Sequence, residues 1–126
     1  MSKTIKTRKG LDIKLVGEAN KTIADIPLSS TYTLSPLDFH GLTPKMLVKE
    51  GETVKVGSPV FCNKYSPEIK FVSPVSGTIK SIVRGQKRRI LDVIISSDSK
   101  QESIDPVDVS SENIIETFLN GGLWPM

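Results

Sequence analysis

Few residues in this chain carry chemistry beyond packing: one imidazole, one thiol, two spaced lysines and a run of cations. The imidazole is His40, in Leu37-Asp38-Phe39-His40-Gly41-Leu42, and the thiol is Cys62, some twenty residues further on. Nucleophilic catalysis needs a base beside the nucleophile and a third group to orient that base. No Gly-x-Ser-x-Gly phrase accompanies this pair, so His40 reads as a turn residue near a strand start. Cys62 reads as a small packing residue, with Lys64 as the one neighbour able to lower its pKa. One His and one Cys cannot furnish the four ligands of a structural metal site. The glycine-rich phosphate loops of nucleotide-binding folds are also missing.

The densest charge cluster is Arg84-Gly85-Gln86-Lys87-Arg88-Arg89. Single-stranded nucleic-acid binding would want aromatics interleaved with such cations, and there are none. The cluster is therefore a solvated hairpin, or a contact for an acidic protein surface or anionic lipid headgroups. Net charge is +3, but it is polarised. Residues 1–91 hold 16 Lys/Arg against 7 Asp/Glu, and residues 92–126 hold one Lys against seven acids. The plainest expectation is that the two halves face each other in the fold.

The elements that position these residues are short. In Val48-Lys49-Glu50-Gly51-Glu52-Thr53-Val54-Lys55-Val56-Gly57-Ser58-Pro59-Val60, valine and glycine alternate at intervals of three, a period of neither helix nor strand. Glycines at Gly51, Gly57, Gly77 and Gly85 mark tight turns, and Val48, Val54 and Val60 become inward anchors. Val83-Arg84-Gly85-Gln86-Lys87 is a worn copy of Val48-Lys49-Glu50-Gly51-Glu52. Strands are expected at Asp12–Val16, Lys21–Ile26, Thr31–Thr33, Met46–Val48, Pro59–Cys62, Ile69–Ser73, Gly77–Val83 and Ile90–Ser96. With no helix between them, they argue for an antiparallel sandwich or barrel rather than βαβ units.

After a polar linker, Ser97–Pro106, the spacing predicts a helix of about ten residues. Ser110 or Ser111 is its N-cap, Ile114, Ile115, Phe118 and Leu119 its apolar stripe, and Gly121 its C-cap. Such a helix must dock that stripe to be stable. The apolar ending Gly122-Leu123-Trp124-Pro125-Met126 reads as a truncation. No apolar run reaches the roughly 18–20 residues that span a bilayer. The charged start lacks the apolar core of a secretory signal, which makes the cytoplasm the default compartment. A lone cysteine excludes an internal disulfide.

The doubled turns, and Ser73-Pro74-Val75-Ser76-Gly77-Thr78-Ile79 above all, resemble the biotinyl/lipoyl-like barrel-sandwich hybrid. This mainly β fold consists of two interlocked layers related by pseudo-twofold symmetry. Carrier members bear a modified lysine at the tip of the hairpin joining the halves. Here that hairpin runs from Gly57 to Gly77, and its midpoint is Pro67. Lys64 and Lys70 flank the midpoint without the surroundings of a carrier site.

Longer phrases carry a more specific resemblance: Lys9-Gly10-Leu11-Asp12, Ser35-Pro36-Leu37-Asp38-Phe39-His40-Gly41-Leu42-Thr43-Pro44-Lys45-Met46, Val48 to Lys55, Phe71 to Gly77, and Arg84 to Arg88. In this order they resemble the A subunit of the sodium-translocating NADH:quinone oxidoreductase, the Nqr complex. Gly121-Gly122-Leu123-Trp124-Pro125 resembles the point where its first domain hands over to a Rossmann-like region. The resemblance implies a sandwich domain over 1–106, then a short helix and the start of a connection over 107–126.

It also implies a peripheral place on the cytoplasmic side of the bacterial inner membrane, with partners in the other Nqr subunits and the rest of the A subunit. NADH, flavin, iron–sulfur and quinone chemistry lies in or near those other subunits, with no cofactor, metal or catalytic residue in this chain. Contact with quinone stays open. Arg84, Lys87, Arg88, Arg89 and Trp124 are the candidate partner contacts. The C subunit of the related Rnf complex, which uses a similar N-terminal fold, and a biotin or lipoyl carrier are the alternatives.

Overall fold

A computed structural model describes Gly10, residues 16–109 and residues 113–124. Among the described residues seven strands form two sheets. In chain order they are β1 (Thr31–Leu34), β2 (Pro44–Met46), β3 (Thr53–Val54), β4 (Pro59–Asn63), β5 (Lys70–Val72), β6 (Gly77–Arg84) and β7 (Ile90–Ser97). One sheet runs β1-β7-β6-β3 and the other β2-β4-β5, and every ladder is antiparallel.

The alternation of valine and glycine now has a geometric cause. Lys49–Glu52 and Lys55–Ser58 are four-residue turns, closed by Glu52 N–H to Lys49 O at 3.2 Å and Ser58 N–H to Lys55 O at 2.9 Å. Gly51 and Gly57 hold the third position of each, with φ of 86° and 88°, a conformation that suits glycine at that place. The turns carry the chain from β2 into β3 and back to β4, so one sheet feeds the other. Gly51 N–H donates to Ile79 O at 2.8 Å, and Gly57 N–H donates to Ser73 O at 2.9 Å. Between the corners Val54 and Val60 point inward and are buried, while Val48 packs half-buried against them.

Both sheets fill one core. Val54, Ile79, Ile90, Val93 and Ile95 come from the first; Val60, Phe61 and Phe71 come from the second. Phe61 and Phe71 stack with centroids 5.0 Å apart, and Phe39 tilts against Phe71 at 4.5 Å. Cys62 is buried in β4, in the packing role expected of it.

The corner Ser73–Gly77 buries two hydroxyls, and both are satisfied. Ser73 Oγ donates to Val75 O at 2.6 Å. Ser76 Oγ donates to Asp98 Oδ1 and accepts from Glu102 N–H at 3.1 Å. Asp98 Oδ1 also accepts from Lys100 N–H at 3.0 Å.

That clasp starts a strap that runs to Val56, between β3 and β4. Val56 forms a parallel bridge with Ser103, through Val56 N–H to Glu102 O at 2.8 Å and Ile104 N–H to Val56 O at 3.0 Å. The strap returns as α1 (Ile114–Asn120). Lys70 Nζ donates to Asn120 Oδ1 at 2.7 Å, and Gly122 lies so close to Val72 that a Cβ there would meet its methyl groups at 2.9 Å.

The hydrogen bond from Ser76 is the chief cause that holds the Asp98 carboxyl below its ordinary value of 3.8. A depressed carboxylate adds stability above its unfolded pKa and loses it as pH falls through the folded one. Asp98→Asn should therefore lower the urea midpoint at pH 7, with the gap to wild type closing below about pH 3.8 as Asp98 of the wild type takes up its proton. A gap constant between neutral and acid pH would count against the clasp.

Several expectations need correction. Lys21–Ile26 forms no strand: Ile23 is 100% exposed, and without a partner edge its β-type composition has nothing to pair with. Of Asp12–Val16, only Val16 falls within the described residues, and it is exposed in a bend. β2 begins two residues before the expected Met46, although Leu47 N–H still donates to Val60 O. β3 was not anticipated. The Ser97–Pro106 stretch is a strap rather than a loose linker.

The helix spans seven residues, not ten, with Asn113 at its N-cap and Gly121 at its C-cap. Ser110 and Ser111 lie outside the described residues. None of its residues is buried, so the predicted stripe is only partly docked. At Gly85 the left-handed backbone falls on Lys87 and Arg88 instead, with φ of 53° and 60°, because the connection adds a 3-10 turn over Gln86–Arg88.

Candidate docking surface

The β6–β7 connection is the chemically distinctive feature. β6 and β7 are the longest strands, and Gly85 N–H to Arg89 O at 2.8 Å closes their shared end. Arg84 ends β6, the five-residue link projects Lys87, Arg88 and Arg89, and all four are exposed. Among the described residues no carboxylate comes within ion-pair distance of any of them, and their one side-chain hydrogen bond is Arg84 Nη1 to Arg88 O at 3.4 Å.

The expectation that basic and acidic halves face each other is met at one point only among the described residues. Lys55 reaches Glu102 at 3.8 Å. Among the described residues the cationic turn has no ion-pair partner.

Two clefts adjoin this turn. One, of about 650 Å³, is lined by Met46, Leu47, Val48, Lys49, Glu50, Ile82 and Arg84. Glu50 there accepts from Ile82 N–H at 2.6 Å. The other, of about 380 Å³, is lined by Pro36, Leu37, residues 39–44, Arg89 and Ile90. His40 sits in this second wall, exposed in a turn as expected.

Sequence reasoning found the cations but missed Lys49 and Leu47 as their neighbours. Only the long-range contact between residues 46–50 and β6 brings them together, and no local signal reports it. Trp124, the remaining candidate contact, is 37% exposed, two residues beyond Gly122, which lies against Val72 of β5.

The tip between β4 and β5 is a turn closed by Ile69 N–H to Ser66 O at 3.0 Å, and it presents Pro67 and Glu68. Lys64 lies over the Tyr65 ring and Lys70 is tied to Asn120. Among the described residues no group of three or more His, Cys, Asp or Glu side chains is arranged to hold a metal, and no helix is long and apolar enough to cross a membrane.

Two small antiparallel sheets exchanging strands at glycine corners around a common core make this a barrel-sandwich hybrid. Within that class the chain belongs to the family of NqrA N-terminal barrel-sandwich hybrid domains, whose family model matches residues 5–98. It is 41% identical over 129 residues to the A subunit of the Na(+)-translocating NADH-quinone reductase of Serratia proteamaculans, covering 95% of this chain and 29% of that protein. Identity is 34% to the corresponding subunit from Neisseria meningitidis and 30% to that from Teredinibacter turnerae, each over 95% of this chain. The chain spans 28% of the length of each of these last two relatives.

Proposed function

We propose that the domain is a non-catalytic docking module within the A subunit of a sodium-translocating NADH:quinone reductase, which couples NADH oxidation and quinone reduction to sodium export. The names carried by its relatives support the assignment. The single observation that carries the docking role is the β6–β7 turn, four exposed cations without a carboxylate partner among the described residues. Uncompensated charge on a rigid hairpin steers association with a complementary surface. Arg84, Lys87, Arg88 and Arg89 form the principal contact, and the Trp124 region faces other subunits or the remainder of the A subunit.

On this reading residues 1–106 are the docking body and 107–126 connect it to the downstream region of the longer relatives. Flavin, iron–sulfur and quinone chemistry stays in or near other subunits, and the module lies peripherally on the cytoplasmic side of the membrane.

The test is replacement of all four cations by Ser in a full-length A subunit carrying this domain. Affinity for the remaining subunits should fall at least about tenfold at roughly 0.15 M salt. Stability should change by less than about 1 kcal/mol, since all four side chains are exposed. Assembly indistinguishable from wild type would remove the docking role from this turn.

A further inference from the structure

We propose that the β6–β7 end of the sandwich docks directly on an anionic phospholipid surface; the inference uses the same cations as the docking reading and goes beyond it. Five cations, Lys49, Arg84, Lys87, Arg88 and Arg89, belong to the turn and the walls of its two clefts. Among the residues that line the clefts the one carboxylate is Glu50, whose Oε1 is engaged by Ile82 N–H, while Asp38 is exposed beside Leu37 and Asp92 pairs with Val83 across the ladder.

Large apolar side chains stand among these charges. Leu37 is 49% exposed in one cleft wall, Leu47 is 45% exposed in the other, and Val83 is 37% exposed next to Arg84. Cations interspersed with protruding aliphatic residues suit the headgroup region, where charge meets phosphate and the aliphatic tips meet the acyl boundary.

An acidic protein is the competing partner, and the geometry favours lipid over it. Tight recognition of fixed carboxylates calls for guanidinium groups held in place beforehand. Among the described residues the one hydrogen bond that orients any of the five cations is the long contact from Arg84 to Arg88 O. Mobile headgroups can gather around such cations wherever they point, so no prior orientation is required.

The two ends of the turn are also shared with the clefts, Arg84 with one and Arg89 with the other. Arg84 thus borders the cleft that holds Leu47, and Arg89 the cleft that holds Leu37. The left-handed φ of Lys87 and Arg88 places consecutive cations at the apex of the hairpin.

The experiment uses the 126-residue chain with vesicles of phosphatidylcholine, alone or with about 30% phosphatidylglycerol. Sedimentation at roughly 0.1 M salt should show at least tenfold tighter partitioning to the anionic vesicles, lost near about 0.5 M salt and unaffected by about 10 mM inorganic phosphate. Arg84, Lys87, Arg88 and Arg89 changed together to Ser should lower the partition coefficient roughly a hundredfold or more, at about fivefold per cation.

A second variant, Lys87→Asn with Arg88→Asn, removes two charges while suiting the left-handed backbone, and should lower it roughly twentyfold with an unchanged melting curve. Equal binding to neutral vesicles, displacement by phosphate alone, or retention of binding by both variants would overturn the proposal. If vesicles are not bound but the Ser substitutions still weaken assembly with the other Nqr subunits, the partner is protein and the lipid inference falls alone. If vesicle binding follows the cations while assembly is untouched, lipid docking stands and the subunit-docking reading falls.

Discussion

Replacing Phe61 with Ala should destabilise the domain by about 3–5 kcal/mol. Phe61 is fully buried in β4, stacked on Phe71, which in turn meets Phe39. Phe61 is the largest of the fully buried side chains, and the smaller Val60, Val93 and Ile95 of the same core cannot close the hole without moving strands. The loss therefore combines transfer free energy with an unfilled cavity. For a domain of this length it corresponds to a fall in Tm of roughly 10–20 °C, with an unchanged denaturant slope if folding stays two-state. Phe61→Leu keeps most of the volume and should recover more than half of the loss. A loss below about 1 kcal/mol in chemical denaturation would mean that the rings do not pack against one another.

The second large effect is expected at Gly77, for a reason of backbone rather than volume. Gly77 opens β6 and pairs with Val54 on one side and Ser97 on the other, with φ at 154°. A Cβ there would collide with the carbonyl oxygen of Ser96 and lie 2.9 Å from Ser97 Cα. Both obstacles are backbone, so no rotamer change relieves them. Gly77→Ala should cost about 3 kcal/mol or more, as strands β6 and β7 must part at their shared end.

Gly51→Ala is the control. Its φ of 86° carries a similar conformational penalty, but nothing lies within 4 Å of the added methyl. Its cost should stay near about 1–2 kcal/mol. Equal losses at both positions would show that conformation alone, and not the close approach of β7, fixes glycine at 77.

These two positions also show where the sequence was legible. Ser73-Pro74-Val75-Ser76-Gly77 announced a corner because its residue types leave few local conformations, and β4 to β7 were readable because β-branched residues fill them between turn residues. The valine anchors followed from glycine placement. Lys21–Ile26 has the same composition as a true strand, yet strand formation needs a partner, and partners are set by the whole chain. β3 escaped notice for the converse reason: two residues give no periodicity, and it exists through its ladder with β6.

The docking surface divides the same way. Its cations are consecutive and visible in one line of sequence. Their lack of counter-charge and their apolar neighbours Leu37 and Leu47 depend on register and on contacts forty or so residues apart. The worn second copy of the glycine turn misled for a local reason, since Gly85 occupies the entry of a longer link in which Lys87 and Arg88 take up the left-handed backbone.

The strap that begins at Ser76 has a mechanical meaning. A pull entering through residues 113–124 reaches the sandwich through the Lys70–Asn120 contact, then the Val56–Ser103 bridge, then the Ser76–Asp98 clasp. These attachments are met one after another and open like a zip. The β6–β7 ladder behind them bears load across eight-residue strands at once. The strap is thus a compliant tether on a stiff block, able to take up displacement while the cationic turn keeps its shape.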